Sequence, residues 1–479
     1  MLNHLINQNI WWQDASLIEK DPKIMEWQKQ SLKWQPSLMD EFDFSSFHIY
    51  TLRGPRQVGK TTLLKLMIKK LLKDPEIRKE QIVYYSADNL DSYKDIIELI
   101  ETYFDFLDRL PNPPERAFLF LDEITAVNNW QRGIKHLTDL GKLSNSILIL
   151  SGSNASDLRL GIERLPGRRG RGAHPDKILL PLTFREYVSL TSPDMAAHFK
   201  EIPFFDVFNL TEGNFRDIFA FNPYKRSLSR LFDRYLISGG FIKSINELYS
   251  SGFIAFDIYE IYLQWIRGDM AKAGKNERTT RQIISRLLKI KVSVFGWETI
   301  AKKIDIATHK TVSEYMQVME DSFTLRLLYQ ADVNTGLPRI KKMKKFYFLD
   351  PFILWSLWGW VENWLLFQEK SEEKLRNIKI KSCLAEMAVA NLLFHCYEVK
   401  DWTGSRVFFF RNNGEIDFLI KQDNILMPVE VKYQNKIEKS DFKLIHKLGF
   451  KKGIIISKDT FYYNDEYISI PLEIFLMFF

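Results

Sequence analysis

Cysteine is nearly missing from this chain: Cys383 and Cys396 are the two among 479 residues, both set between apolar side chains in one segment with helical spacing. That excludes a disulfide scaffold and a cysteine-based zinc site. Gly/Ser-rich and Pro-rich tracts are also missing, so no long disordered linker is expected. Nor is there an uninterrupted apolar run of the roughly 20 residues needed to span a bilayer. The aromatic stretch from Phe346 to Phe367 is broken by Asp350, Pro351, Glu362 and Asn363, and reads as a packed helix. Met1 to Trp12 carries Asn, His and Gln where a secretory leader has a basic start and an apolar run, so a cytoplasmic protein with no membrane partner is expected. Charge is nearly balanced, 67 Lys+Arg against 60 Asp+Glu. The small basic surplus permits nucleic-acid contact without requiring it.

What is present is a hydrophobic fraction of 46% in a chain too long for one core, which predicts two to four domains. An amphipathic lead-in (Ile24, Trp27, Leu32, Trp34) ends at Pro36. A short apolar strand, His48 to Leu52, then enters GPRQVGKT, and Leu63, Leu64, Met67, Ile68 and Leu71 mark a following helix. Further strands are expected at Gln81–Tyr85, Ala117–Leu121, Ser146–Leu150 and near Lys177–Leu182, alternating with helical patterns. Near-continuous apolar strands in that alternation imply a parallel sheet covered on both faces. After Phe184 the pattern is helical to about residue 345. Three short helices (283–290, 297–303, 308–320), a strand at Leu325–Tyr329 and a basic turn suggest a winged helix. From about Ile378 a helix, three strands, a helix and a strand form a small α/β tail.

The segment Gly54 to Thr61 satisfies G-x-x-x-x-G-K-[ST] in full. Gly54 and Gly59 let the backbone curl, so that Gly54, Pro55, Arg56, Gln57, Val58, Gly59, Lys60, Thr61 and Thr62 form the nucleotide-binding loop, whose successive N–H groups, none of them from Pro55, are set to surround phosphates with the helix N-terminus. Lys60 would reach the β and γ phosphates of ATP, and Thr61 would ligate Mg²⁺. The strand AFLFLDE ends in Asp122, a metal-side carboxylate, and Glu123, a general base. ILILSGSN ends the next strand with Ser153 and Asn154, of which Asn154 is the one expected beside the γ phosphate; a simple turn is the alternative. LPGRRGRG offers Arg168 and Arg171 as fingers that stabilise charge on the transferring phosphoryl group, on their own chain or on a neighbour in a homo-oligomer, or as a solvated basic loop.

GPRQVGKT, FLDEIT, SGSNAS, the glycine-arginine loop and LPLTFREY, in this order, resemble AAA-type ATPases of archaea and bacteria that carry a C-terminal domain of uncharacterised function. YLISGGFIKSI near Tyr235, the helix-turn-helix around Thr308 to Tyr315 and KKFYFLDPFI are similar to that family's later landmarks. The resemblance implies an α/β multidomain protein: an N-terminal helical extension (1–45), a P-loop AAA+ parallel-sheet core (46–187), a helical lid and connector (188–275), a winged helix (276–350) and a restriction-endonuclease-like α/β tail (351–479). The arginine loop is longer than the family pattern needs.

In the tail, Asp417 and the Glu430-Val431-Lys432 strand resemble the PD-(D/E)XK nuclease core, with Glu386 matching its helical acid. Asp417 and Glu430 would then hold a second divalent metal, Mg²⁺ or Mn²⁺, and Lys432 would orient water at a scissile phosphate. The same residues also suit packing or binding without cleavage. Lys341, Lys342, Lys344 and Lys345 suit phosphate contacts, as do His309, Lys310, Thr311 and Ser313 in the helix-turn-helix; a solvated charge run explains the lysines as cheaply. Two functions are expected: a Mg²⁺-dependent ATPase controlling a module that binds, and in one version cleaves, DNA, or a nucleotide-dependent switch binding protein partners through an inactive tail.

Overall fold

The computed structural model describes the chain apart from residues 153–157, 159–160, 162, 164, 171–173, 305–307, 399–404, 413 and 465. Asn154 and Arg171, both expected at the nucleotide site, lie outside the described residues. The chain divides into two compact units, Met1–Leu180 and Pro181–Phe479. Among the described residues no helix is long and apolar enough to cross a membrane.

In the first unit, β1 (His48–Arg53), β2 (Ile82–Ser86), β3 (Ala117–Asp122), β4 (Ser146–Ser151) and β5 (Asp176–Ile178) form one sheet in the order β2-β3-β4-β1-β5. Every pair is parallel. β1, β3 and β4 are buried along their whole length, which is why their sequences are apolar runs rather than alternations. Parallel strands put all carboxyl ends on one edge. The crossover helices are Lys60–Leu71, Tyr93–Asp108 and Trp130–Asp139. The second turns Ile96, Leu99, Ile100, Tyr103 and Leu107 inward at helical spacing, and so covers the sheet with one face.

β2 is an edge strand, and the residues before β1 occupy its open side. The Asn9 amide bonds both backbone groups of Tyr84, accepting from its N–H at 2.6 Å and donating to its carbonyl at 2.9 Å. Gln8 accepts from the Ser86 N–H at 2.9 Å, and the indoles of Trp11 and Trp12 donate to the Ile82 carbonyl. Side chains thus replace a missing strand and block edge pairing. The lead-in helix is shorter than its apolar spacing suggests, Pro22–Lys29.

The last strand is a correction: β5 stops at Ile178, not near Leu182. Pro181 has no N–H for a ladder, and the Leu182 N–H donates instead to the Gly240 carbonyl at 2.8 Å, inside the second unit.

In that unit three sequence landmarks meet. Leu182 accepts from the Tyr235 hydroxyl at 3.0 Å, and the Gly240 N–H donates to Asp350 at 2.7 Å. A Cβ on Gly240 would lie 2.3 Å from the Leu182 carbonyl oxygen, so only glycine fits. Asp350 also caps the helix Pro351–Glu362, accepting from the Phe352 N–H. Helices Glu277–Ile290, Trp297–Lys303 and His309–Asp321 precede β6 (Leu325–Tyr329), the two-residue strands β7 (Ala331–Asp332) and β8 (Leu337–Pro338), and β9 (Lys344–Phe348), which pairs antiparallel with β6. The tail carries a six-stranded sheet, β10 (Val407–Arg411), β11 (Glu415–Gln422), β12 (Ile425–Lys432), β13 (Gly453–Ser457), β14 (Tyr462–Tyr463) and β15 (Tyr467–Pro471), in the order β10-β11-β12-β13-β15-β14. Helix Ile378–Tyr397, which holds both free cysteines, packs on it. The last helix, Leu472–Phe478, is buried in full.

Candidate functional site

The loop between β1 and helix Lys60–Leu71 crosses the carboxyl edge of the sheet. Its bends fall on Gly54 (φ +151°), Gln57 (φ +63°) and Gly59 (φ +105°), a left-handed sequence that glycine adopts freely. At Gly54 space is decisive as well, since a Cβ would sit 2.1 Å from the Leu179 carbonyl oxygen. Val58 is the loop's buried anchor, whereas Arg56 and Gln57 face outward. Lys60 is folded back over the loop, its ammonium donating to the carbonyls of Gly54 at 3.0 Å and Pro55 at 3.1 Å. Thr61 and Thr62 open the helix beside it.

Asp122 ends β3 and is 2% exposed. β4 lies between β1 and β3, which sets the two strand ends about 10 Å apart. The phosphate loop carries Thr61 towards the end of β3, and its hydroxyl donates to Asp122 Oδ2 at 2.6 Å. The Tyr84 hydroxyl donates to the same oxygen at 3.0 Å, and the Ser151 hydroxyl, from the end of β4, donates to Oδ1. Glu123 follows in the left-handed region (φ +53°, ψ +38°), with its N–H on Ser151 Oγ at 3.2 Å. A non-glycine residue held there stores of the order of 1–3 kcal/mol and persists where its surroundings impose it.

Behind this cluster lies a buried ion pair. Lys65, one turn along the helix from Thr61, bonds Asp21 at 3.0 Å and lies 3.4 Å from the Tyr84 ring centroid. Burial pushes its pKa below the ordinary lysine value, against the opposing pull of Asp21. Burial and the charge of Asp122 push the Tyr84 phenol upward, so it remains a donor.

These residues fit ATP and Mg²⁺. The loop leaves no room for a side chain at Gly54, the ammonium of Lys60 already binds oxygens, and Thr61 and Asp122 present hard oxygen ligands 2.6 Å apart. Sequence reasoning missed Ser151, Tyr84, Lys65 and Asp21. Ser151 is the polar end of β4, three residues before Asn154, and the register of β4 on β3 was the signal for it.

Arg168 does not join this cluster in its own chain. It forms a forked pair with Asp139 at 2.5 Å and 3.3 Å, at the end of helix Trp130–Asp139 that leads into β4, hence at the amino edge. Its neighbour Arg169 bonds the Ile49 carbonyl and, through two N–H groups, Asp176. About 16 Å of strand separates Ile49 from Gly54.

The tail residues do converge. Asp417 on β11 and Glu430 on β12 exchange contacts across the ladder, the Asp417 N–H donating to Glu430 at 3.1 Å and the Val431 N–H donating to Asp417 Oδ2 at 2.9 Å. Lys432 lies 3.9 Å from Glu430 and 3.5 Å from Asp441. Glu386 reaches the cluster from its helix and accepts from the Tyr347 hydroxyl at 2.7 Å. Burial, then the charge of Asp417, pushes Glu386 up to about 7. The basic run before it departs from expectation: Lys341 and Lys342 are exposed, but Lys344 and Lys345 are 3% and 1% exposed. They stand on the buried strand β9, so strand burial overrides their charge. Lys344 bonds the carbonyls of Ile340 and Lys342. The ammonium of Lys345 bonds Asp417, one of the two residues expected to hold a second metal, and among the described residues no group of three or more His, Cys, Asp or Glu is arranged to hold a metal.

Comparison with known proteins bears on the first unit more than on the second. Residues 46–188 match the family model described as an AAA domain; residues 229–363 and 381–475 match two domains of unknown function (DUF8612 and DUF4143). Similar curated proteins are an uncharacterized protein of Methanocaldococcus jannaschii, 21% identical over 78% of this chain and 73% of its own, and one of Haemophilus influenzae, 20% identical over 63% and 67%. Similar solved structures include a Walker-type ATPase of Pyrococcus abyssi (14% identity, 64% of this chain and 90% of that one, TM-score 0.36) and AMPPCP-bound DnaA of Aquifex aeolicus (17%, 59% and 84%, 0.27). The segment that carries the phosphate loop and Asp122 thus lies within the stretch that matches an AAA domain.

Proposed function

We propose that the chain binds ATP with Mg²⁺ at Gly54 to Thr62 and hydrolyses it. The observation that carries this reading is the Thr61–Asp122 contact at the mouth of a complete phosphate loop. Backbone N–H groups of the loop and the start of helix Lys60–Leu71 receive the phosphates. Lys60 exchanges its two loop carbonyls for phosphate oxygens. Thr61 and Asp122 hold Mg²⁺, which neutralises phosphate charge when bound. Glu123 takes the proton of the attacking water as the new bond to the γ phosphorus forms and the bond to the bridging oxygen breaks. Arg168, at the far edge of its own sheet, assists only a neighbouring copy.

The experiment compares ATP binding and turnover in wild type, Lys60→Ala and Glu123→Gln. Lys60→Ala is expected to lose nucleotide affinity or turnover, and Glu123→Gln to bind ATP and not turn it over. Wild-type turnover in both would overturn the reading.

The hydrolysis cycle acts, in this reading, on the second unit, where residues 276–350 serve as a winged helix and 351–479 as a nuclease-like tail. His309 and Lys310 are exposed at the start of helix His309–Asp321, which supports a DNA contact there. The burial of Lys344 and Lys345 favours the second reading, a nucleotide-dependent switch with protein partners, because it removes two of four cations from a phosphate surface. DNA affinity that falls steeply with salt supports the first, and no affinity at low salt supports the second.

A further inference from the structure

Lys345 and Tyr347, two apart on β9, share one face of the strand, and both meet Glu386. The Lys345 ammonium lies 2.7 Å from Glu415, 2.8 Å from Asp417 Oδ1 and 3.0 Å from Glu386. An ammonium has three N–H donors, and here three carboxylates stand around it. The side chain is 1% exposed, so water does not share the work. The second oxygen of Asp417 is also taken, by the Val431 N–H. Divalent Mg²⁺ or Ca²⁺ holds its oxygens at about 2.0–2.6 Å. The oxygens here stand at ammonium distances, around a cation the chain itself supplies.

We propose that Lys345 is the resident cation of this carboxylate cluster, occupying the place of a divalent metal, so that the C-terminal unit carries a metal-free site that does not cleave nucleic acid. The ammonium clasps β9 to helix Ile378–Tyr397 and to β11, and Asp417 and Glu386, which the sequence marks for nuclease chemistry, serve that clasp. The proposal turns on unit two alone. Loss of ATP turnover in Lys60→Ala leaves it untouched, so its failure and that of the ATPase reading appear in different assays.

The test is a Mn²⁺ titration of the full-length, nucleotide-free protein near pH 8, with free Mn²⁺ followed by its EPR signal. Wild type and Asp417→Asn are expected to bind the same number of Mn²⁺ ions. Lys345→Met is expected to bind one more per chain than Lys345→Met/Asp417→Asn, because the acids are then left without their cation. One additional Mn²⁺ in wild type over Asp417→Asn overturns the proposal, as does a folded Lys345→Met that gains none. Should Lys345→Met fail to fold, the wild-type pair still decides. A nuclease assay with Mg²⁺ and Mn²⁺ gives the second readout: no cleavage by wild type is expected, and cleavage abolished by Asp417→Asn overturns the idea.

Discussion

The two carboxylate clusters of this chain differ in what holds them. Asp122 is buried at the end of β3, yet the groups donating to it are the hydroxyls of Thr61, Tyr84 and Ser151. Neutral donors orient a carboxylate without a direct ion pair, while the nearby cation, Lys65, bonds Asp21 and lies against the Tyr84 ring. In the tail, Asp417 and Glu386 meet the ammonium of Lys345 directly. Their charge is already spent on a partner in the same chain. The difference teaches that convergence of acids does not by itself make a metal site; the charge of their hydrogen-bond donors decides.

The strongest test of this contrast is Asp122→Asn, which keeps one acceptor oxygen and the side-chain shape and removes the charge. Charge stabilisation by a bound metal contributes several kcal/mol to such reactions, so ATP turnover should fall by about 10²-fold or more, with the Mg²⁺ requirement rising. A loss under tenfold would break the comparison at its first half. Next in size is Asp21→Ala. It leaves the buried Lys65 without its ion-pair partner, a change that costs about 3–5 kcal/mol. Adding Lys65→Met should recover most of that in denaturant unfolding; no recovery would show that Asp21 acts through packing rather than charge.

Asp350 supplies a third kind of buried carboxylate, held by backbone N–H groups of Gly240 and Phe352. Burial pushes it up to about 7. Its folded pKa is thus above the unfolded value, and the stability it contributes is fully present below about pH 4 and lost as pH rises through about 7. A loss of a few kcal/mol over that window is expected in the unfolding of wild type, and Asp350→Asn should flatten it. An unchanged slope in the variant would assign the pH dependence elsewhere.

What was legible in the sequence was local. GPRQVGKT contains its own turns and its own helix start, and the apolar runs of β1, β3 and β4 announce a buried sheet. Ser151, Tyr84 and Asp21 were not legible, because they meet Asp122 or Lys65 only through the strand order β2-β3-β4-β1-β5 and the docking of the N-terminal segment. Lys345 was misread for a related reason. Four lysines in five residues look like a solvated patch, but K-F-Y-F is a strand, and a strand between two packed layers buries whatever stands on it. The alternation of Lys345 and Tyr347 was the available clue.

The smallest expected effect is the most specific. Tyr84→Phe removes one hydroxyl from Asp122 Oδ2 and leaves the ring that covers Lys65 in place. The net worth of such a bond is about 1 kcal/mol. If Tyr84 only packs, the variant should lose a little stability and nothing else. If it positions Asp122 for a metal, the Mg²⁺ concentration at half-maximal turnover should rise about fivefold, with turnover at saturating Mg²⁺ nearly unchanged. A shift in Mg²⁺ dependence without a fall in the maximum separates orientation of the carboxylate from catalysis itself. A falling maximum at constant Mg²⁺ dependence would instead place Tyr84 nearer the reacting phosphate than its contact with Asp122 implies.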